Sequence, residues 1–131
     1  MPTVLIVEDD PELRRVVGYA LMDEGVSCVE TASGQEAIET LCQFTAEGKR
    51  PDCVVLDIVM AGVADGWQVL ESMRSNPLWA DLPVIVLTGK ATLPAEIVRA
   101  ERLGATHMAK TARFVDELIL ALKGLLATGR G

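Results

Sequence analysis

Asp52-Cys53-Val54-Val55-Leu56-Asp57 is an apolar run that ends abruptly in a carboxylate. Val54, Val55 and Leu56 favour β-structure and are too few for a helix of their own, so the run reads as a buried strand. Asp57 then sits where the strand leaves the core, ahead of the turn-like Ala61-Gly62-Val63-Ala64-Asp65-Gly66. Val4-Leu5-Ile6-Val7 ends the same way, in Glu8-Asp9-Asp10, and Val84-Ile85-Val86-Leu87 ends in Thr88-Gly89. Buried strands that deliver acids and a hydroxyl at their C-terminal ends describe a site.

Helical patterns fill the gaps between these runs. Asp10-Pro11 is a helix start, with Asp as N-cap and Pro at the first helical position. Leu13, Val16, Val17, Ala20 and Leu21 follow on one face, and Gly25 closes the helix. Val26 to Thr31 reads as a less apolar strand nearer a sheet edge. Ser33-Gly34-Gln35-Glu36 has the form of a capping box, opening a helix with Ala37, Ile38, Leu41 and Cys42 inward. Gly66 to Ser75 predicts a third helix, with Trp67, Leu70 and Met73 on one side, and both Trp67 and Trp79 are expected to pack against the sheet. Pro94 to Leu103 predicts a fourth, closed by Gly104. Thr106 to Ala109 is a short fifth strand, and a last helix runs from Phe114 to about Ala127.

Five strands alternating with five helices imply an α/β fold, a doubly wound parallel sheet covered on both faces. Ligands in such sheets bind beyond the carboxyl ends of the strands, which puts Glu8, Asp9, Asp57, Thr88 and Lys110 around one crevice. At 131 residues the chain is one domain by length. A formal charge of −7 argues against nucleic acid as a direct partner. No run approaches a membrane span, and the start leaves no room for a signal peptide. Cys28, Cys42 and Cys53 are odd in number and lack metal-type spacing, so they read as reduced thiols in or near the core of a cytoplasmic protein.

Three carboxylates in a small crevice either raise one another's pKa or demand a cation. Mg2+ takes one or two carboxylates plus waters and a phosphate. Asp57 can then act as nucleophile toward a phosphoryl group, giving an aspartyl phosphate. The metal and Lys110 would offset the charge on the phosphoryl oxygens, and Thr88 would donate to one of them. Acids at a loop can also be plain solvated surface, Thr88 a strand-end cap, and Lys110 an exposed lysine with Lys90 as its rival.

V-E-D-D-P near the N-terminus, D-I-V-M from position 57, D-G after it, T-G after the fourth strand and a lone K after the fifth resemble a response-regulator receiver domain. The resemblance covers the whole chain. It implies a flavodoxin-like (βα)5 sheet of strand order 2-1-3-4-5, with a receiver domain over 1–127, a frayed tail at 128–131 and no output domain. It implies that Asp57 takes phosphate from a histidine kinase or a histidine phosphotransfer protein. It implies that Glu8 and Asp9 form the acidic pair, and that Asp9 and Asp57 would bind Mg2+ through side chains and Val59 through its backbone carbonyl. Thr88 resembles the switch hydroxyl and Lys110 the phosphate-contacting lysine. His107 falls where the family usually has an aromatic whose rotamer follows that hydroxyl. Output is expected through a downstream protein bound at the face of the fourth helix, fifth strand and last helix.

Three features depart from the family's D-x-x-M-P-x-x-D-G and K-P patterns. Ala61 replaces the proline and Gly62-Val63-Ala64 lengthens the loop by one residue. Thr111 follows Lys110 where a cis proline is usual, so that peptide is expected to be trans and Lys110 less firmly aimed. His107 is less apolar than the usual Tyr or Phe and could add a charge near neutral pH. The lost prolines and the lengthened loop support a rival reading, a degenerate receiver that binds partners without phosphate; the intact acids, threonine and lysine oppose it. An aspartyl-phosphate hydrolase lacks its second carboxylate, because Val59 stands two after Asp57. A flavin binder lacks a phosphate-cradling loop at Glu8-Asp9-Asp10. With Val59 and Lys90 flanking the site, no side chain is placed to orient a hydrolytic water. The phosphoryl group is therefore expected to last minutes or more.

Overall fold

The computed structural model describes residues 2–59 and 66–128. Its elements alternate: β1 (Thr3–Val7), α1 (Pro11–Asp23), β2 (Ser27–Thr31), α2 (Gly34–Ala46), β3 (Cys53–Asp57), α3 (Gly66–Ser75), β4 (Val84–Leu87), α4 (Pro94–Arg102), β5 (Thr106–Met108) and α5 (Phe114–Thr128). All pairings are parallel, in the order β2-β1-β3-β4-β5. Winding runs outward from β1 to β2, then reverses to β3, so the switch point lies between β1 and β3. The register aligns the carboxyl ends in a row: Val7 with Leu56, Asp57 with Leu87, and Leu87 with Met108.

Because strand side chains alternate, the sheet separates two cores. Leu5, Val7, Val54, Leu56, Val84 and Val86 pack under α2, α3 and α4, with Leu41, Trp67, Leu70 and Met73. Val4, Ile6, Cys53, Val55, Ile85 and Leu87 pack under α1 and α5, with Val17, Leu21, Leu118 and Leu122. The central strands are apolar on both faces for this reason, while β2, a sheet edge, is only half-buried. Both tryptophans belong to the first core. Trp79 Nε1 donates to Thr45 Oγ1 at 3.1 Å, and the Arg99 guanidinium lies 4.8 Å from the centroid of Trp67.

The α1 cap is as expected: Asp10 Oδ1 accepts from the Glu12 and Leu13 N–H groups, with Pro11 in the first turn. At α2, Ser33 Oγ accepts from Glu36 N–H, but the Glu36 carboxylate accepts from Ala32 rather than Ser33, one residue outside a reciprocal capping box. Gly25 and Gly104 take φ of 77° and 64° just past their helices, the left-handed stop that glycine adopts without strain.

Four expectations are corrected. Val16 is 52 % exposed; the buried stripe of α1 runs through Val17, Gly18 and Leu21. A Cβ at Gly18 would stand 3.2 Å from the Glu30 carboxylate, a tight contact that the glycine avoids. Cys42 is exposed, since the inward edge of α2 is Ala37 and Leu41. β5 ends at Met108 rather than Ala109, and α4 at Arg102 rather than Leu103. The turn-like stretch from Ala61 to Asp65, with its extra residue, lies outside the described residues, as do 129–131 of the tail.

Two residues fix the geometry beside the strand ends. Arg74 of α3 donates through Nε to the Leu103 carbonyl at 2.6 Å and through Nη2 to that of Gly104 at 3.3 Å. Its Nη1 reaches the carbonyls of Trp79, Ala80 and Leu82 at 3.3, 3.1 and 2.8 Å. One side chain thereby ties the segment before β4 to the end of α4. Gly66 opens α3 against the end of β3, its N–H donating to the Ile58 carbonyl at 3.3 Å. A Cβ there would sit 2.3 Å from the Asp57 carbonyl oxygen and 2.6 Å from Ile58 Cα, both backbone atoms that cannot swing aside. Gly66→Ala is therefore expected to lower stability by about 1–3 kcal/mol or more, read as a fall in the urea midpoint at unchanged slope.

Candidate functional site

The topology brings the expected acids together. Glu8 and Asp9 follow β1, and Asp57 ends β3, on either side of the switch point. Each of the three offers a carboxylate oxygen, and these atoms lie within 4.8 Å of one another. Glu8 and Asp57 are 3 % and 1 % exposed, whereas Asp9 is half-buried. The turn after β1 is held from several sides. Glu8 N–H donates to the Thr31 carbonyl, Arg14 Nη1 to the Glu8 carbonyl at 2.8 Å, and Asp10 N–H to Glu8 Oε1 at 3.3 Å.

Lys110 answers the charge. Its Nζ donates to Asp57 Oδ2 at 2.6 Å and lies 3.4 Å from Glu8 Oε2. Lys90, the rival, is exposed on the loop after β4. The Lys110–Thr111 bond is trans, there being no cis peptide among the described residues. Its ammonium nonetheless reaches Asp57, and its own N–H donates to the Gly89 carbonyl at 2.9 Å.

Burial pushes the Glu8 carboxyl up to about 8, helped by its hydrogen bond to Asp57 and the Asp57 charge, and opposed by Lys110. Burial alone would lower the Lys110 ammonium; the hydrogen bond and charge of Asp57, with Glu8, outweigh it and raise the pKa above its ordinary value. In metal-free protein near neutral pH, Glu8 therefore favours its protonated form, and the charged Lys110 ammonium lies against Asp57. A divalent ion fits this donor set: three hard carboxylate oxygens, with ligand oxygens needing to stand about 3–4 Å apart around bonds of about 2.1 Å. Val59, two past Asp57, is exposed, and its N–H donates to Asp57 Oδ1 at 3.1 Å.

Thr88 follows β4, fully buried, with its N–H on the Met108 carbonyl at 2.9 Å. His107 is half-buried on β5, opposite Val86 in register, and so on the sheet face that Thr88 shares two residues on. Sequence reasoning missed Arg14 and Thr92. Arg14 fixes the Glu8 main chain, and Thr92 Oγ1 lies 2.8 Å from Thr88 Oγ1. The four-residue step from Asp10 to Arg14 along a helix start was the available signal for the first; the second has none, because a loop closes that contact. A cleft of about 260 Å³ between α1 and α5, lined by Pro2, Leu21, Val26 and Leu122, lies at the other end of the sheet. It has no part in this chemistry.

Residues 4–122 match the family described as Response regulator receiver domain. The probable transcriptional regulatory protein TcrX of Mycobacterium tuberculosis is 35 % identical over 95 % of this chain and 49 % of its own length. The phosphate regulon transcriptional regulatory protein PhoB of Pseudomonas aeruginosa is 29 % identical over 98 % of this chain and 54 % of its own. The chain thus spans about half the length of the curated relatives it matches. Among solved structures, the chemotaxis protein CheY4 of Vibrio cholerae superposes with a TM-score of 0.79 at 25 % identity, covering 95 % of this chain and 98 % of that one. A putative response regulator from Chloroflexus aurantiacus gives 0.82 at 29 % identity, covering 97 % and 99 %. With the 2-1-3-4-5 sheet and the acids at its switch point, these matches establish that the chain belongs to the response regulator receiver domain family.

Proposed function

We propose that this receiver is a phosphorylation-controlled switch in which Asp57 accepts a phosphoryl group with Mg2+ bound beside it. The observation that carries the reading is the buried Asp57 carboxylate, 2.6 Å from Lys110 Nζ and clustered with Glu8 and Asp9 at the switch point. Receiver domains are signalling modules of two-component systems rather than enzymes in the usual sense. The donor proposed is a histidine kinase or a histidine phosphotransfer protein.

In the transfer, an Asp57 carboxylate oxygen attacks phosphorus, the bond from phosphorus to the donor nitrogen breaks, and the imidazole leaves with the electron pair. Asp9 and Asp57 side chains, Glu8 beside them and the Val59 carbonyl would hold Mg2+. The ion would supply positive charge to the phosphoryl oxygens. Lys110 would shift from Asp57 Oδ2 to donate toward a phosphoryl oxygen, and Thr88 would donate to another. Thr88 and His107 would then pass the change to α4, β5 and α5. Leu93 just ahead of α4, Val98 on α4 and Leu120 on α5 are exposed apolar side chains suited to a protein partner. The charge of −7 opposes direct contact with nucleic acid. No described helix is long and apolar enough to cross a membrane. The free thiols, Cys42 at the surface, suit the reducing cytoplasm.

Intact mass after incubation with acetyl phosphate and Mg2+ tests this. One phosphoryl group is expected on the wild type, none on Asp57→Asn and none with EDTA. The label should persist for minutes, because exposed Val59 and Lys90 flank the site where a water-orienting group would stand. Failure to phosphorylate folded wild type, with a kinase donor also tried, would favour the phosphate-independent adaptor.

A further inference from the structure

The Thr88 hydroxyl is already engaged in the phosphate-free arrangement. Its Oγ1 lies 2.8 Å from Thr92 Oγ1 and 3.3 Å from the Met108 carbonyl, and the residue is fully buried. A hydroxyl has one proton to give, and the Met108 carbonyl can only accept. Whichever of these two neighbours takes that proton, it is not free for a third acceptor.

A phosphoryl group on Asp57 would add acceptor oxygens at the end of β3, where Asp57 pairs with Leu87, the residue before Thr88. To donate there, Thr88 must turn from Thr92. Shut off from water, it finds no solvent partner on the way, so the side-chain bond is lost outright. That bond also closes the loop leading to α4. Lys110 N–H pins the near end at the Gly89 carbonyl, Lys90 and Ala91 are exposed, and Thr92 is tied back by Thr88. Leu93 follows at once, its N–H on Glu96 Oε1 at 2.8 Å where α4 begins.

We infer that Thr92 is a positioning residue whose hydroxyl holds that of Thr88 in the phosphate-free arrangement and so opposes its turning toward Asp57. This rests on the phosphoacceptor reading above. Thr92 acts through Thr88 and touches no reacting atom.

The test titrates the full chain, loaded with Mg2+, with beryllium fluoride as a tetrahedral phosphoryl mimic, by calorimetry. Thr92→Val, nearly isosteric, is expected to bind about three- to tenfold more tightly than wild type, the worth of one released hydrogen bond. Thr92→Ser should match wild type. In a Thr88→Ala background, Thr92→Val should change nothing, since the pair is already broken. Unchanged or weaker binding by Thr92→Val, a Thr92→Ser that behaves like valine, or an effect that survives Thr88→Ala overturns the inference while leaving the phosphoacceptor intact. Wild type that binds no mimic overturns both.

Discussion

Lys110→Met is expected to slow phosphoryl transfer to Asp57 by on the order of a hundredfold or more. It removes the one cation that stands 2.6 Å from the acceptor carboxylate and keeps most of the side-chain volume. The same change strips two buried carboxylates of their partner. Stability of the metal-free protein should fall by about 3–5 kcal/mol, as when one member of a buried ion pair is deleted. The loss should be largest above pH 8, where Glu8 can no longer stay protonated. Because the Lys110 pKa is raised, its contribution is complete at neutral pH and fades only as pH climbs through that raised value. Urea unfolding with and without Mg2+ separates the two roles. A divalent ion on the same carboxylates should recover much of the stability, while acetyl phosphate time courses stay slow. Transfer at wild-type rate would show that Lys110 serves only to neutralise the resting site.

Glu8 carries the second large effect, and its sign is unusual for a carboxylate. The folded protein keeps the Glu8 proton up to about pH 8, whereas the unfolded chain releases it near the ordinary value of 4.5. Between those limits the folded state binds more protons, so stability from this group is full below the lower value and drains as pH rises through the upper. Metal-free wild type should therefore lose a few kcal/mol relative to Glu8→Gln on going from pH 5 to 8. Mg2+ requires the carboxylate, so its binding should release a proton and tighten with pH, by at most about tenfold per unit, until near pH 8. Denaturation series at several pH values, paired with calorimetry in buffers of different ionisation enthalpy, read both quantities. Equal pH slopes for wild type and Glu8→Gln would remove the proton from this account.

The acids were legible in the sequence for a physical reason. A strand buried on both faces admits only apolar side chains, so the first carboxylate after Val7 or Leu56 marks where the strand leaves the apolar core. Alternating elements then fixed a parallel sheet, and the switch point gathered Glu8, Asp9, Asp57, Thr88 and Lys110 near one end. Side-chain environments at the helix margins were less legible. Val16 lies beside the stripe of α1 that Val17, Gly18 and Leu21 bury, and the periodicity of apolar residues alone does not show that a glycine takes the inward place. The main-chain bond from Lys110 to Gly89 is invisible to any pattern of side chains. The Thr88–Thr92 contact escaped for a similar reason, since a loop's closure is not written in a periodicity.

Arg74 leaves a different kind of mark. All five of its acceptors are main-chain carbonyls, which every amino acid supplies. Residues 79–82 and 103–104 can therefore change identity without disturbing this fork, provided the carbonyls stay where they are. Adding or removing one residue would carry an oxygen out of reach. Along this edge of the molecule, divergence should proceed by substitution while the lengths of the two connections stay constant, because the arginine measures spacing and is indifferent to spelling.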